Sequence, residues 1–187
     1  MSALTIYLDH EPHYGELYTK FDAIQNQLKN IGVQFERWNA NAELSPNADQ
    51  ESILAAYSDS IDKLKQQFGF QSVDAIKLHP KHPEKAALRQ KFLAEHTHND
   101  FEVRFFVEGR GLFYLHVEDN VYAVLCDQGD LISVPANTRH WFDMGENPEF
   151  TCIRFFTTSD GWVADFTGSE IARTFPTFDE YIDEIFV

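Results

Sequence analysis

The chain has 187 residues, of which 43% are hydrophobic and 14% aromatic, a globular composition that excludes a disordered or fibrous protein. Fifteen Lys and Arg stand against 30 Asp and Glu, a net charge of −15 without any basic run, which argues against nucleic acid and anionic membranes as partners. No apolar stretch is long enough for a membrane span, and Met1–Tyr7 lacks the basic and apolar regions of a signal peptide, so the expectation is a cytoplasmic protein.

Phe21, Ile24, Leu28 and Ile31 recur at helical spacing and predict a helix closing near Gly32. Residues 33–38 read as a short strand. Ser45-Pro46 reads as a cap with proline at the first helical position. From there Ile53, Leu54, Tyr57, Ile61, Leu64 and Phe68 predict a helix stopped by Gly69. A third helix is expected from near Pro83, through Ala87, Leu88, Lys91 and Phe92, to just before His96.

The period then changes to two. Phe101, Val103, Phe105 and Val107 alternate with Glu102, Arg104, Phe106 and Glu108, the pattern of a half-buried strand. Further strands are expected at 112–117, 121–126, 131–134, 141–142 and 151–157, with Gly-bearing turns among them. Such regular short strands predict a mainly β, antiparallel barrel or jelly roll, with helices added on the N-terminal side. One domain over 1–187 is expected: helical decoration at about 15–95, the barrel at about 70–160, and a tail at 161–187 packing across it. Cys126 and Cys152 lack a C-x-x-C spacing and read as free buried thiols. The acidic surface, with no clear exposed apolar stripe, reads as a monomer.

Chemistry concentrates in His96-x-His98-x3-Glu102, with His140 further on after Gly129, Pro135 and Asn137. If the segment is extended throughout, His96, His98, Glu102 and Arg104 share one face and Phe101, Val103 and Phe105 the other. Burying two imidazoles, a carboxylate and a guanidinium without partners is very costly, and a metal ion compensates. Two imidazoles and a carboxylate suit a divalent first-row metal, and His140 from a neighbouring strand completes four ligands. His10, His13, His79 and His82 read as surface residues, and His116, sharing parity with Tyr114, faces either the interior or solvent. Arg154 shares its parity with Cys152 and Phe156. It serves either an anionic ligand or a salt bridge to a carboxylate.

The pattern His96, His98, Glu102, Gly109 resembles the first cupin motif, and Gly129, Pro135, Asn137, His140 resembles the second. Gln90 stands where the first motif usually opens with Gly, Asn137 replaces a second-motif Gly, and Met144 stands where Asn often closes it. Asn tolerates positive φ, so a tight turn at 137 survives. The run from His96 to Gly109 and the run from Val134 to Phe142 narrow this: they closely resemble the acireductone dioxygenases, cupins of methionine salvage.

That resemblance implies a cupin-type jelly-roll barrel holding one Fe(II) or Ni(II) per chain on His96, His98, Glu102 and His140. It implies Arg104 and Arg154 as the positive charge around the metal, and O2 and a small acireductone as substrates. In that family the iron form gives formate and the 2-keto acid precursor of methionine, whereas the nickel form gives carbon monoxide, formate and a shorter methylthio acid. Phe92, Phe142 and Trp162 are candidates for an apolar wall around the methylthio tail, or for ordinary core. The same motifs also suit another metal cupin (a different dioxygenase or a sugar-phosphate isomerase) or a small-molecule-binding cupin without turnover.

Overall fold

The computed structural model describes residues 1–159 and 162–187. Strands β1 (Ala3–Leu8) and β2 (Gly15–Tyr18) precede helix α1 (Phe21–Lys29) and strand β3 (Gln34–Arg37). Helices α2 (Gln50–Ala56) and α3 (Ser58–Phe68) lead to β4 (Ser72–Leu78) and α4 (Lys85–Leu93). Seven strands follow: β5 (His96–Thr97), β6 (Glu102–Gly109), β7 (Gly111–Val117), β8 (Asn120–Cys126), β9 (Asp130–Val134), β10 (Arg139–Asp143) and β11 (Phe150–Phe156). The tail holds β12 (Asp165–Phe166), a 3-10 turn at Ile171–Thr174 and helix α5 (Phe178–Ile185).

The expected closed barrel does not form. The strands make two open antiparallel sheets, in the orders β12-β5-β10-β7-β8-β1-β2 and β3-β9-β6-β11-β4. Closure needs the first and last strands of a sheet to pair. Here each sheet ends in free edges, and large side chains fill the space between the sheets. Phe106 and Cys152 of one sheet share a buried cluster with Phe113, Leu115, Val124 and Phe142 of the other. Both outer faces are also covered. Val103, Phe105, Ile153 and Phe155 pack under Ile53, Ile61 and Leu64 of α2 and α3. Tyr114, Trp141 and Leu125 pack under Phe175 and Tyr181 of the tail. The result is four layers, helix–sheet–sheet–helix, which gives most strands two buried faces.

The alternation of residues 101–108 is realised with the expected parity, but Glu102 and His96 do not belong to one strand. β5 lies in the seven-stranded sheet and β6 in the other, so the chain crosses between sheets at residues 98–101. Asp100 fixes the crossing by accepting from Phe101 N at 2.8 Å, from Thr157 N at 3.1 Å and from the Thr157 hydroxyl. The return crossing, from β6 to β7, turns at Gly109, where φ is +69°. A Cβ there would lie 1.9 Å from the Glu149 carbonyl oxygen, so only glycine fits.

The helix expected after Ser45-Pro46 begins instead at Gln50. Asp49 caps it, its carboxylate accepting from Ser52 N at 2.8 Å. It also breaks at Tyr57, whose ring turns edge-on against Phe105 at 5.7 Å and seats α3 on the sheet. Strands β1, β2 and β4 lie outside the sequence expectations. β1 sits between β2 and β8, with Leu4 packed into the space between the sheets and Tyr7 against Phe175 outside, and so shows no polar face. Both cysteines are buried and free, as expected. No helix of the described residues is long and apolar enough to cross a membrane.

Asp143, 2% exposed, ties three elements together. It accepts from Arg89 of α4 at 2.7 and 2.9 Å, from Gly145 N at 2.9 Å, and from Phe178 N at the start of α5 at 2.9 Å. Burial would raise its pKa, but the Arg89 bonds, then the two backbone donors, hold it below the ordinary value. Arg89→Ala is expected to lower the unfolding free energy in urea by about 3 kcal/mol at neutral pH. Because the folded carboxyl is depressed, its contribution is complete above the unfolded carboxyl pKa of about 4 and is lost as the pH falls through the folded value. The gap between wild type and variant therefore closes in acid, and equal stability at neutral pH would remove Asp143 from this role.

Candidate metal centre

Three imidazoles meet near the β12-β5-β10 edge of the seven-stranded sheet. His96 comes from β5, His140 from the neighbouring β10 directly opposite it, and His98 from the start of the crossing. Their ligand-capable nitrogens lie within 4.8 Å of one another, and all three side chains are buried. The two segments are stitched together where Asn137 N donates to the His98 carbonyl at 2.7 Å. Asn137 adopts φ 62°, the left-handed turn expected of it.

Each ring is oriented by its other nitrogen. His96 Nδ1 lies 2.8 Å from the Ala94 carbonyl, His140 Nδ1 lies 2.8 Å from the Thr138 carbonyl, and His98 Nδ1 lies 3.2 Å from the Val163 carbonyl. A carbonyl can only accept, so Nδ1 carries the proton in each neutral ring and Nε2 presents a lone pair. Glu102 enters from the opposite sheet. Its Oε2 lies 2.7 Å from His140 Nε2 and 3.0 Å from His98 Nε2. Acceptors so close require a proton or a cation between them, and a divalent metal fits that demand: three imidazoles form one cluster and a carboxylate reaches two of them. A divalent metal is accordingly the cofactor of this centre.

Electrostatics follow from burial. Desolvation, then the neighbouring His140, lowers the His96 pKa to about 4. Desolvation would also lower His98, but the hydrogen bond and charge of Glu102 hold it above the ordinary imidazole value. For Glu102 burial is outweighed by the charge of Arg104, then by His140, and the carboxyl is held well below its ordinary range. Arg104 Nε stands 2.8 Å from Glu102 Oε1, but its N–H is misaligned, so the contact is an ion pair and not a hydrogen bond.

The remaining expected site residues separate into two sets. A cleft of about 660 Å³ beside the imidazoles is lined by Phe92, Trp162 and Arg154, together with His96 and His98. Trp162 stacks on His98 at 5.8 Å and 27°, and its Nε1 donates to the Phe101 carbonyl at 2.9 Å. Arg104 and Phe142, 2% and 1% exposed, lie beneath and outside the cleft lining. The Arg104 guanidinium is caged by the rings of Phe142 at 4.6 Å, Phe113 at 5.2 Å, and Phe92 and Trp162 at 5.4 Å. Arg154 faces the cleft but is held by Asp74 of β4 through bonds of 2.8 and 2.5 Å, the salt bridge that its sequence position left open. Arg104, Arg154 and Asp74 form one row across three strands.

Sequence reasoning missed Asp74, Ser72 and Phe166, all of which line the cleft. Phe166 pairs with His96 across β12 and β5, with its ring 5.7 Å away. The signal for β4 was present: Val73 and Ala75 pack outward, and Ser72 and Asp74 alternate with them. Glu95 and His116 also turn out to be buried. His116 Nδ1 lies 2.6 Å from Glu95 Oε2, and Thr167 donates to Glu95 Oε1 at 2.8 Å, which fastens β5 beneath the tail.

Two antiparallel sheets packed face to face, with three imidazoles clustered and a carboxylate reaching two of them, define a metal-site protein of β-sandwich architecture. The chain belongs to the ARD/ARD' family, which matches residues 4–164. It is 58% identical over 182 residues to the acireductone dioxygenase of Methylococcus capsulatus, covering 97% of this chain and 98% of that one. It is 56% identical over 186 residues to that of Aquifex aeolicus, covering 98% and 100%. Among solved structures it is similar to the acireductone dioxygenase from Bacillus anthracis with cadmium ion in its active centre, at a TM-score of 0.77 and 31% identity, over 89% of this chain and 98% of that one.

In the ion-free protein, nitrogen NMR of labelled histidine is expected to show His96 as the neutral Nδ1–H tautomer down to about pH 4. A His96 ring that titrates near the ordinary 6.5 would show that this pocket is wetter than its packing indicates.

Proposed function

We propose that the protein is an acireductone dioxygenase, a metal-dependent oxidoreductase that cleaves a methylthio-bearing acireductone with O2 in methionine salvage. The observation that carries this reading is the donor set: three imidazole Nε2 atoms and Glu102 Oε2 converge beside a cleft of about 660 Å³ with apolar and cationic walls. His96, His98, Glu102 and His140 are the ligands, and one Fe(II) or Ni(II) per chain is the ion they suit. Helices, both sheets and the tail all contribute to the centre, so the chain works as one unit. The protein's partners are then the small acireductone and O2.

A divalent ion held by these residues would supply a Lewis acid and a template for an oxygen-bearing substrate. The protein's own groups do the rest. Three backbone carbonyls hold the imidazoles in the ligating tautomer. Arg104 fixes the Glu102 carboxylate and offsets its charge from below, which makes it a positioning residue. Arg154, with its charge shared by Asp74, faces the ligand space. Phe92, Phe156, Trp162 and Phe166 line the cleft and suit an apolar methylthio tail. Trp162, lying flat on His98, also limits water at that ligand. Oxidation is balanced by O2 alone: the electron-rich enediol loses carbon–carbon bonding electrons, and both oxygen atoms end in the products. With iron these are formate and the 2-keto acid. With nickel they are formate, carbon monoxide and the carboxylic acid shorter by one carbon.

Elemental analysis of the purified protein, paired with a product assay on an acireductone under O2, tests the reading. One Fe or Ni per chain and release of formate are expected, with carbon monoxide marking the nickel form. Bound metal without O2 uptake would overturn the activity. His98→Ala and Glu102→Ala are each expected to lose most of the metal, and full retention in both would remove them from the ligand set. Arg104→Ala is expected to weaken metal retention or turnover by roughly 10–100-fold, the cost of losing the group that orients a ligand.

A further inference from the structure

The cleft contains a third cation that neither the ligand set nor the arginine pair absorbs. Lys91 sits in the last turn of α4, exposed, and lines the cleft next to Phe92. The other two cations near the centre are already matched to carboxylates. Arg104 is paired with Glu102 and closed off under aromatic rings, and Arg154 is bound at two points by Asp74. Among the described residues no carboxylate is within ion-pair distance of Lys91, in contrast with Lys77, whose ammonium reaches Glu108 at 2.6 Å. Its backbone is also well placed to act: Arg89, two residues earlier, is clamped by Asp143, which fixes the helix that carries Lys91 against β10.

We propose that Lys91 is the residue by which the cleft selects an anionic, oxygen-bearing substrate. This rests on the acireductone reading for the identity of the substrate, and not for the class of ligand. The physical reason is the charge balance. A chain at −15 repels an incoming enediolate, and a local cation with no carboxylate partner among the described residues counters that field at the cleft. A lysine suits that task. Its ammonium is a mobile point charge on a flexible stem, able to meet the anion at the entrance and follow it inward, and it makes no demand for a fixed planar partner. Its contribution is therefore to capture and to KM, and it carries a dependence on ionic strength that the buried Arg104–Glu102 pair does not.

The test uses the Ni(II)-loaded protein and two probes. Oxalate, an inert dianion with two chelating oxygens, is titrated by calorimetry at low and high salt. The acireductone is followed by steady-state turnover under O2. Lys91→Met is expected to weaken oxalate binding about five-fold at low salt, the size of one exposed charge–charge contact, and to flatten the salt dependence. It is expected to raise KM for the acireductone by a similar factor with kcat within about two-fold. Lys91→Arg is expected to restore both. Lys85→Met removes the same charge from the same helix outside the cleft, where Lys85 reaches Asn147, and is expected to leave the oxalate salt dependence as in wild type.

Equal oxalate affinity and equal salt dependence in wild type and Lys91→Met would overturn the proposal, as would a wild-type protein that binds no oxalate. An equal loss in Lys85→Met would also overturn it, reducing the effect to net charge. Oxalate binding that depends on Lys91, with no acireductone turnover in wild type, would leave Lys91 as the anion selector and overturn the activity reading alone.

Discussion

The carboxylate of Glu102 is the contact on which the centre depends. It is 2% exposed, and a bare carboxylate at that depth is costly. One oxygen is matched by the Arg104 guanidinium, and the other lies against the Nε2 atoms of His98 and His140, where a shared cation completes the balance. Arg104 is itself buried, so its charge is matched by Glu102 and by the faces of four aromatic rings. Each partner is therefore tolerable only in the presence of the next. The chain of compensation runs from the Phe142 ring through Arg104 and Glu102 to the imidazoles, and it crosses from one sheet to the other. That crossing makes the separation of the sheets a property of the centre as well as of the core.

The ends of this chain are held by backbone. The Ala94, Thr138 and Val163 carbonyls come from the end of α4, the turn before β10 and the tail. The tail takes part twice more, through Phe166 beside His96 and Thr167 against Glu95. Asp143 then links α4 to the start of α5. Residues remote in sequence thus converge through a few hydrogen bonds to buried groups. Among the helices, α4 serves the centre directly, because it carries Phe92 of the cleft wall and is held in place by Asp143.

The side chains that converge at the centre were legible because their signal is local. His96-x-His98 and Glu102-x-Arg104 each give a two-residue repeat, and Asn137 announces its turn by being a residue that accepts positive φ. Parity predicted one shared face of a single extended segment; instead a crossing between sheets, stabilised by Asp100, brings His96 and His98 from one sheet to meet Glu102 and Arg104 from the other. What stayed hidden depends on tertiary packing. β1 has no polar face because sheet neighbours and the tail bury both sides. The break at Tyr57 follows from the position of the Phe105 ring. The closed barrel failed as an expectation because strand periodicity specifies which face is buried and not which edges pair. Asp74 could not be assigned to Arg154 from sequence, since that match is set by the register of β4 on β11.

Trp162 gives the centre an optical property of its own. Its indole lies nearly parallel to the His98 ring and also over the Arg104 and Arg154 guanidiniums. The other two tryptophans have different surroundings: Trp141 is stacked on Tyr114 under the tail, and Trp38 is bonded to Glu36 near the edge strand β3. One of three emitters therefore stands one ring away from the ligand cluster. A paramagnetic ion at that cluster quenches a neighbouring indole, whereas a closed-shell ion of the same charge does not. The intrinsic fluorescence of the unlabelled protein consequently carries a record of the electronic state of whatever the histidines hold.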